Sequence, residues 1–292
     1  MTENIPDITV LMPVYNCEKY IKESVESILN QTFVNFEFLI INDASTDNTR
    51  NIISSYNDKR IILIDNNENI GLSKSLNKGI EIAKGKYIAR MDADDISLPT
   101  RLEKQFYFLN NNIEYCLVAA KIIGINEKSK ETSMWDNDNN NITYRDIYYF
   151  LPKANCIAHP TVLIRKEILI EYKYSEKPYF SQDWDLWLRL ISDKKKIAKL
   201  DEVLLKYRVH NSSVSNFSEN KNKGKKSIIL RYNFLKNQFY KLKINTIFLK
   251  VSFFLLIEIK IFYLNKIKSI FKHAYNYFYS IIEYKIIKKI YY

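Results

Sequence analysis

The chain has 292 residues, is 47% hydrophobic and 26% charged, and carries a net charge of +11 with three cysteines. That balance excludes a disordered chain, and an odd set of widely spaced cysteines without a Cys-x-x-Cys pair argues against a disulfide frame or zinc site and for a reducing compartment. The positive charge argues against a nucleic-acid surface: residues 241–292 hold ten Lys against two Glu, which accounts for +8 and leaves +3 on the first 240 residues.

Met1 to Asp7 has neither a basic start nor an apolar stretch, so no secretory signal is expected. From residue 8 to about 126, apolar runs of strand length alternate with amphipathic helical segments. Ile8 to Met12 is a short apolar run stopped by Pro13 and reads as a buried strand. Residues 18–30 put Tyr20, Ile21, Val25, Ile28 and Leu29 on one helical face. Phe36 to Ile41 predicts a second strand, after which Ser45, Thr46 and Asp47 offer caps to a helix reaching Tyr56. Arg60 to Ile64 predicts a third strand, and Leu72 to Ala83 a helix closed by Gly85. The strand at 86–91 runs into Met91-Asp92-Ala93-Asp94-Asp95, and Pro99 suits the first turn of a helix ending near Leu109. A strand over Cys116 to Ile125 follows. Residues 127–150, rich in Asn and Asp and without a clear period, read as a loop. Ile157 to Ile164 predicts a strand, Asp183 to Ile191 a helix, Val203 to Val209 a last strand, and 211–227 a polar linker.

Strand–helix alternation implies an α/β domain with a mostly parallel sheet and ligands bound beyond the carboxyl ends of the strands. Three polar clusters fall at such ends: Pro13 to Asn16, Asn42 to Ser45, and Asp92 to Asp95. In extended chain, residues i and i+2 point the same way, so Asp92 and Asp94 face one ligand while Ala93 keeps clear. Clustered carboxylates at the end of a buried strand need a positive neutraliser, commonly a hard divalent cation that also bridges to a substrate phosphate. Arg90 either faces this site or is a salt-bridged strand arginine. The first strand is not followed by Gly-x-Gly-x-x-Gly, which argues against a dinucleotide oxidoreductase. The glycine-rich opening of a sugar-phosphate nucleotidyltransferase is missing as well.

Residues 228–292 contain no Pro or Gly and are dominated by Ile, Phe, Tyr and Lys. The stretch 244–264 approaches membrane-span length, but Lys250, Glu258 and Lys260 interrupt it, each at a cost of about 2.5–3.5 kcal/mol in mid-bilayer. Lysine-studded helices lying on an anionic membrane fit this composition, as do helices packed on the domain or on a second subunit.

Thr9 to Asn16, Asn42 to Asp47, Asn69-Ile70-Gly71-Leu72, Met91 to Asp95 and Gln182 to Trp187 together resemble the ordered motifs of the family 2 glycosyltransferases. The resemblance spans residues 7 to about 215. It departs at Asn42 and Gln182, where the family often has an acid. It implies a GT-A fold over 1–227, with a Rossmann-like nucleotide half over about 1–126, an acceptor half over about 127–227, and a helical tail over 228–292. Carried over by position, Pro13, Val14 and Tyr15 would line the nucleotide base, and Asp43 would accept a ring N–H of uracil. The other reading of Asp43 is a helix cap, which is disfavoured because Ser45, Thr46 and Asp47 already supply caps. Asp92 would hold the ribose or share the metal, and Asp94 and His210 would hold Mn²⁺ or Mg²⁺ on the diphosphate of a UDP-sugar. Asp183 would be the general base of an inverting transfer, where the residues alone also allow an N-cap aspartate. His159 and Trp184 are candidate contacts to acceptor or diphosphate, or else core residues. The resemblance further implies a glycan or lipid-linked acceptor, and with the tail it implies a cytoplasmic protein peripheral to the plasma membrane. An inactive nucleotide-sugar-binding scaffold in a membrane-associated complex is the alternative, against which the retained Asp92, Asp94 and Asp183 count.

Overall fold

The computed structural model describes residues 5–176, 181–210, 223–240, 251–252 and 255. The chain divides into two compact units, Met1–Phe217 and Ser218–Tyr292. The first unit opens with four strands, β1 (Ile8–Val14), β2 (Phe36–Asn42), β3 (Ile61–Asp65) and β4 (Tyr87–Arg90), connected through α1 (Ile21–Leu29), α2 (Thr49–Ser54) and α3 (Leu72–Ile82). β1, β2 and β4 are buried along their whole length, as parallel strands covered on both faces must be. Their runs of Ile, Val, Leu and Phe supply the core, packed against Ile21, Val25 and Ile28 of α1.

Next come β5 (Ile96–Ser97), α4 (Arg101–Asn111), β6 (Tyr115–Ile125), β7 (Glu131–Met134), α5 (Asp136–Asn139), α6 (Tyr144–Phe150), a 3-10 turn (His159–Thr161), β8 (Leu163–Arg165), α7 (Lys166–Tyr172), α8 (Gln182–Ser192) and β9 (Lys196–Arg208). The sheet runs β3-β2-β1-β4-β8-β6-β9-β5, with β7 on the side of β6. Its first four strands are parallel, as expected. Beyond β4 it becomes mixed, because β8 is antiparallel to both β4 and β6 while β9 is parallel to β6.

The strand order reverses at β1, between β2 and β4, which is where open α/β sheets form their crevice. Pro13 sits at this point. β4 pairs with β1 only as far as Leu11, whose carbonyl accepts from the Met91 N–H at 3.1 Å. Two residues later the chain has no neighbour to donate to on that side, so the missing N–H of Pro13 costs nothing.

Several segments differ from the expectation, each for a physical reason. Residues 127–150 are not a loop: Thr143 and Asp146 form a reciprocal capping box that starts α6. The strand expected over 157–164 is reduced to β8, because the turn at His159–Thr161, with Pro160 inside it, interrupts the ladder. β9 begins seven residues before Val203, passing through the exposed Asp201 and Glu202 at a register shift against β6. Gly85 does not close α3 in a left-handed conformation. A Cβ there would lie 2.3 Å from the Thr9 amide nitrogen and 2.6 Å from the Ile8 carbonyl carbon, so glycine is required by the approach of this turn to β1. In the second unit, α9 (Lys223–Tyr240) starts inside the stretch expected to be a linker and buries Leu230, Phe234 and Leu235. Most of the tail lies outside the described residues, among which no helix is long and apolar enough to cross a membrane.

One interior contact joins three elements of the first unit. Lys199 of β9 and Asp138 of α5 form an ion pair at 2.7 Å with side chains 0% and 1% exposed. The ammonium also donates to the carbonyls of Asp138 at 3.1 Å and Cys156 at 2.6 Å, and Asp138 accepts the Ile122 N–H of β6 at 2.8 Å. With all three ammonium N–H donors used and both carboxylate oxygens engaged, the pair is stable only as a pair. Lys199→Met is expected to lower stability by about 3–5 kcal/mol in chemical denaturation, because Asp138 is left buried and unpaired.

Candidate active site

The carboxyl ends of β1, β2 and β4 share one rim because the strands are parallel and in register. The loops after β1 and β2 are bolted together. Asn16 and Ala44 hold φ of 51° and 57°, a left-handed conformation uncommon outside glycine. The Asn16 N–H donates to Ser45 Oγ at 3.1 Å, and Asn16 Oδ1 accepts the Thr46 N–H at 2.8 Å. The Glu18 N–H donates to Asp47 at 3.0 Å, while Glu18 accepts the Asn48 N–H at 2.8 Å. Ser45 and Thr46 therefore serve the loop-to-loop joint, and only Asp47 also bonds into the first turn of α2, accepting the Thr49 N–H at 3.0 Å.

Pro13 and Val14 are buried in the end of β1, and Tyr15 projects, 46% exposed. Asp43 does not cap α2. Its Oδ1 accepts from Asn66 Nδ2 at 2.8 Å and the Ile70 N–H at 2.9 Å, and its Oδ2 accepts the Gly71 N–H at 2.8 Å. The Asn69-Ile70-Gly71-Leu72 motif thus closes onto Asp43, with Gly71 at φ 87° making the turn into α3. A carboxylate has about four acceptor positions, so three donors leave one on Oδ2.

At the end of β4, Asp92, Asp94 and Asp95 bring carboxylate oxygens within 4.8 Å of one another. Burial pushes the Asp92 carboxyl up, the Arg90 guanidinium opposes that, and Asp94 adds to it. Asp95 is pushed well above the usual carboxylate range by burial and by Asp94 and Asp92. It accepts the Arg208 N–H at 2.8 Å through Oδ1, and its buried Oδ2 has no hydrogen-bond partner among the described residues. Asp95 therefore does more than start α4.

The end of β9 lies against this cluster. His210 Nε2 lies 2.9 Å from Asp94 Oδ2, and its ring packs on Tyr20 at 4.9 Å. Arg208, 1% exposed, lies 4.6 Å over the same Tyr20 ring. It donates to the Asp94 carbonyl at 2.7 Å, to the Asn126 carbonyl at 3.1 Å and to Ser129 at 3.0 Å, and pairs with Glu23. Cys17 joins the β1 loop to the cluster: its thiol is pushed up to about 12 by burial and then by Asp94 and Asp92.

The third wall is α8. Asp183 is its second residue, so the N-cap position belongs to Ser181. Asp183 Oδ2 accepts from Asn155 Nδ2 at 2.8 Å. Burial raises its carboxyl, against the Trp184 N–H, the Asn155 amide and the charge of Arg90. Asp183 in turn raises Asp92, which places it within electrostatic reach of the acidic cluster. Arg90, buried and paired with Asp92, stands between these groups. His159 is buried against Tyr174, with Nε2 2.9 Å from the hydroxyl, and burial and Arg90 hold its imidazole well below the ordinary range. Trp184 Nε1 donates to the Leu151 carbonyl at 2.7 Å. Both sit in the wall behind the rim. The ends of β2 and β4 carry Asp43, Asp92 and Asp94 to one rim, His210 lies against Asp94, and the charge of Asp183 acts on Asp92. Asn155, Arg101, Tyr174 and Arg208 went unread, because a single buried polar residue leaves no periodic trace. Only Arg208, two residues before His210 in an extended run, has a spacing that points to it.

Residues 9–173 match the family described as "Glycosyl transferase family 2". A glycosyltransferase of uncharacterised specificity, MJ1057 from Methanocaldococcus jannaschii, is 41% identical over 210 residues, covering 70% of this chain and 72% of the relative. The O-antigen biosynthesis glycosyltransferase WbnJ of Escherichia coli is 37% identical over 213 residues, covering 70% and 81%. The fold is similar to that of S. aureus TarS residues 1–349, solved in complex with UDP-GlcNAc, with a TM-score of 0.60, 18% identity and coverage of 86% and 81%. The architecture is that of a GT-A enzyme. The chain belongs to glycosyltransferase family 2.

Arg208 is the joint most exposed to test. Its planar fork serves four partners that an ammonium cannot reach together, so Arg208→Lys is expected to cost about 1.5–3 kcal/mol, read from the denaturation midpoint.

Proposed function

We propose that this glycosyltransferase moves a hexosyl or N-acetylhexosaminyl group from a UDP-sugar to a hydroxyl of a surface glycan, with inversion. The observation that carries this reading is Asp183. It is a partly buried carboxylate of raised pKa, within electrostatic reach of Asp92 and across from the Asp94–His210 pair. A general base needs a proton affinity closer to working pH than an ordinary aspartate has, and burial supplies it. In a single displacement the acceptor oxygen bonds to the anomeric carbon while the bond from that carbon to the diphosphate oxygen breaks. The acceptor proton passes to Asp183, and UDP departs with the bonding pair.

Asp43 supports a uracil base. A carboxylate fixed by three donors, with one acceptor position left, selects a ring that presents one N–H between two carbonyls. Pro13, Val14 and Tyr15 would flank that ring, and Asp92 the ribose. Asp94 and His210 fit a divalent cation. Their facing atoms are 2.9 Å apart, close to the ~3.0 Å expected of adjacent ligands at Mg²⁺-type bond lengths. The buried, unpaired Asp95 Oδ2 beside them supports the same assignment. When bound, Mn²⁺ or Mg²⁺ would stabilise charge on the departing diphosphate. His159 and Trp184 shape the acceptor wall from behind. The similarity to an O-antigen transferase supports a polysaccharide acceptor, lipid-linked in the membrane-proximal case.

Asp94→Ala is expected to abolish release of UDP from UDP-glucose or UDP-GlcNAc, and a chelator to do the same to the unsubstituted chain; full activity in chelator contradicts the cation. Asp183→Asn should lower turnover at least ~100-fold with donor affinity retained. Because Asp183 is raised, turnover should be lost as pH falls through a midpoint above the ordinary aspartate range. The basic, apolar tail supports attachment to an anionic membrane surface. Removing residues 228–292 should release the protein from phosphatidylglycerol vesicles in a sedimentation assay; unchanged binding refutes the assignment.

A further inference from the structure

Asp183 carries out a base's work only if one of its oxygens is held and the other is left for the acceptor. The holder is a side chain outside every recognised motif. Asn155 Nδ2 donates to Asp183 Oδ2 at 2.8 Å, while Asn155 Oδ1 accepts the Ile157 N–H at 3.1 Å. The second bond fixes which way the amide points: rotating it by half a turn would set its NH₂ against an N–H and its oxygen against a carboxylate. The backbone that carries Asn155 is also fixed. Its own carbonyl accepts from Asn137 Nδ2 at 3.3 Å, and the next carbonyl, that of Cys156, accepts from the buried Lys199 ammonium at 2.6 Å. Lys199 is locked to Asp138 in the adjoining helix. The interior ion pair therefore braces, through the 155–157 segment, the amide that grips the carboxylate.

We propose that Asn155 is the positioning residue for Asp183: it holds Oδ2 and so orients the carboxylate to receive the acceptor proton. This rests on the assignment of Asp183 as base. The other charged or titratable groups facing Asp183 are Arg90 and Asp92 at the end of β4 and Tyr174 after α7. On its own helix, Asp185 is engaged by Arg189 at 2.9 Å. Among the described residues none of these donates to Oδ2, so removing the Asn155 amide leaves that oxygen without its side-chain donor.

The test compares the full chain with Asn155→Ala and with the near-isosteric Asn155→Asp, which keeps the shape, removes the N–H donor and adds a like charge. Circular dichroism establishes that each variant is folded. Titration of carboxyl-¹³C-labelled aspartate, with the Asp183 signal identified by its loss in Asp183→Asn, reads the base directly and needs no substrate. The Asp183 midpoint is expected to move upward in N155A and further in N155D. With UDP-glucose and UDP-GlcNAc as donors and Mn²⁺ present, kcat at neutral pH should fall ~10- to 100-fold with KM for donor little changed, and the acid limb of the rate should shift in the same direction as the NMR midpoint. An Asp183 midpoint that does not move in either folded variant overturns the proposal. If Asp183→Asn turns over like the unsubstituted chain, the base assignment fails instead, whatever the titration of Asn155 variants gives.

Discussion

The mutual repulsion of three carboxylates is the constraint round which this molecule is arranged. Asp92, Asp94 and Asp95 crowd their oxygens within 4.8 Å where water is partly shut out, and such a cluster stands only if positive charge or donors answer it. Three buried guanidiniums do so from beneath. Arg90 pairs with Asp92. Arg208 holds the backbone of Asp94 and, through its own N–H, the carboxylate of Asp95. Arg101 donates to the carbonyls of Arg90 and Pro160, at 2.9 and 2.7 Å, and its charge acts on Asp95. Arg208 and Arg101 also tie distant segments to the cluster, so that in their case neutralising the charge and closing the fold are one act.

The loops after β1 and β2 are prepared differently, by backbone rather than charge. Two non-glycine residues sit in the left-handed region on adjacent loops, and four hydrogen bonds between those loops keep them there. Strain of this kind persists only where the surroundings over-determine it. Such a rim is set before any ligand arrives, which lowers the ordering cost of binding. The 155–157 segment beside Asp183 is stiffened by side chains instead, through the Lys199–Asp138 pair and the Asn155 amide.

How far the sequence discloses this depends on the kind of signal. The strands of the first half announce themselves because burial on both faces demands unbroken apolar runs such as Ile8 to Met12. The acidic cluster is legible because carboxylates are conspicuous directly after such a run. The capping box of Thr143 with Asp146 is hidden in the polar Asn and Asp background of 127–150. The start of β9 is hidden because Asp201 and Glu202, exposed at a register shift, break the alternation. Gly85 resembles a helix stop in sequence, whereas its role is set by the Thr9 backbone 76 positions earlier. Such long-range contacts leave no local pattern, and the same is true of Lys199, Asn155 and Arg101.

β9 has a consequence beyond its place in the sheet. Arg208 and His210 both reach Asp94, and the residue between them, Val209, turns the other way and gives its N–H to the Ile125 carbonyl at 2.9 Å. Side chains along an extended segment alternate, so gaining or losing a single residue upstream would offer valine to the carboxylates and send both cations outward. A one-residue change within Val203–Arg208, past the register shift at Asp201 and Glu202, would therefore dismantle the charge balance without touching one acidic residue.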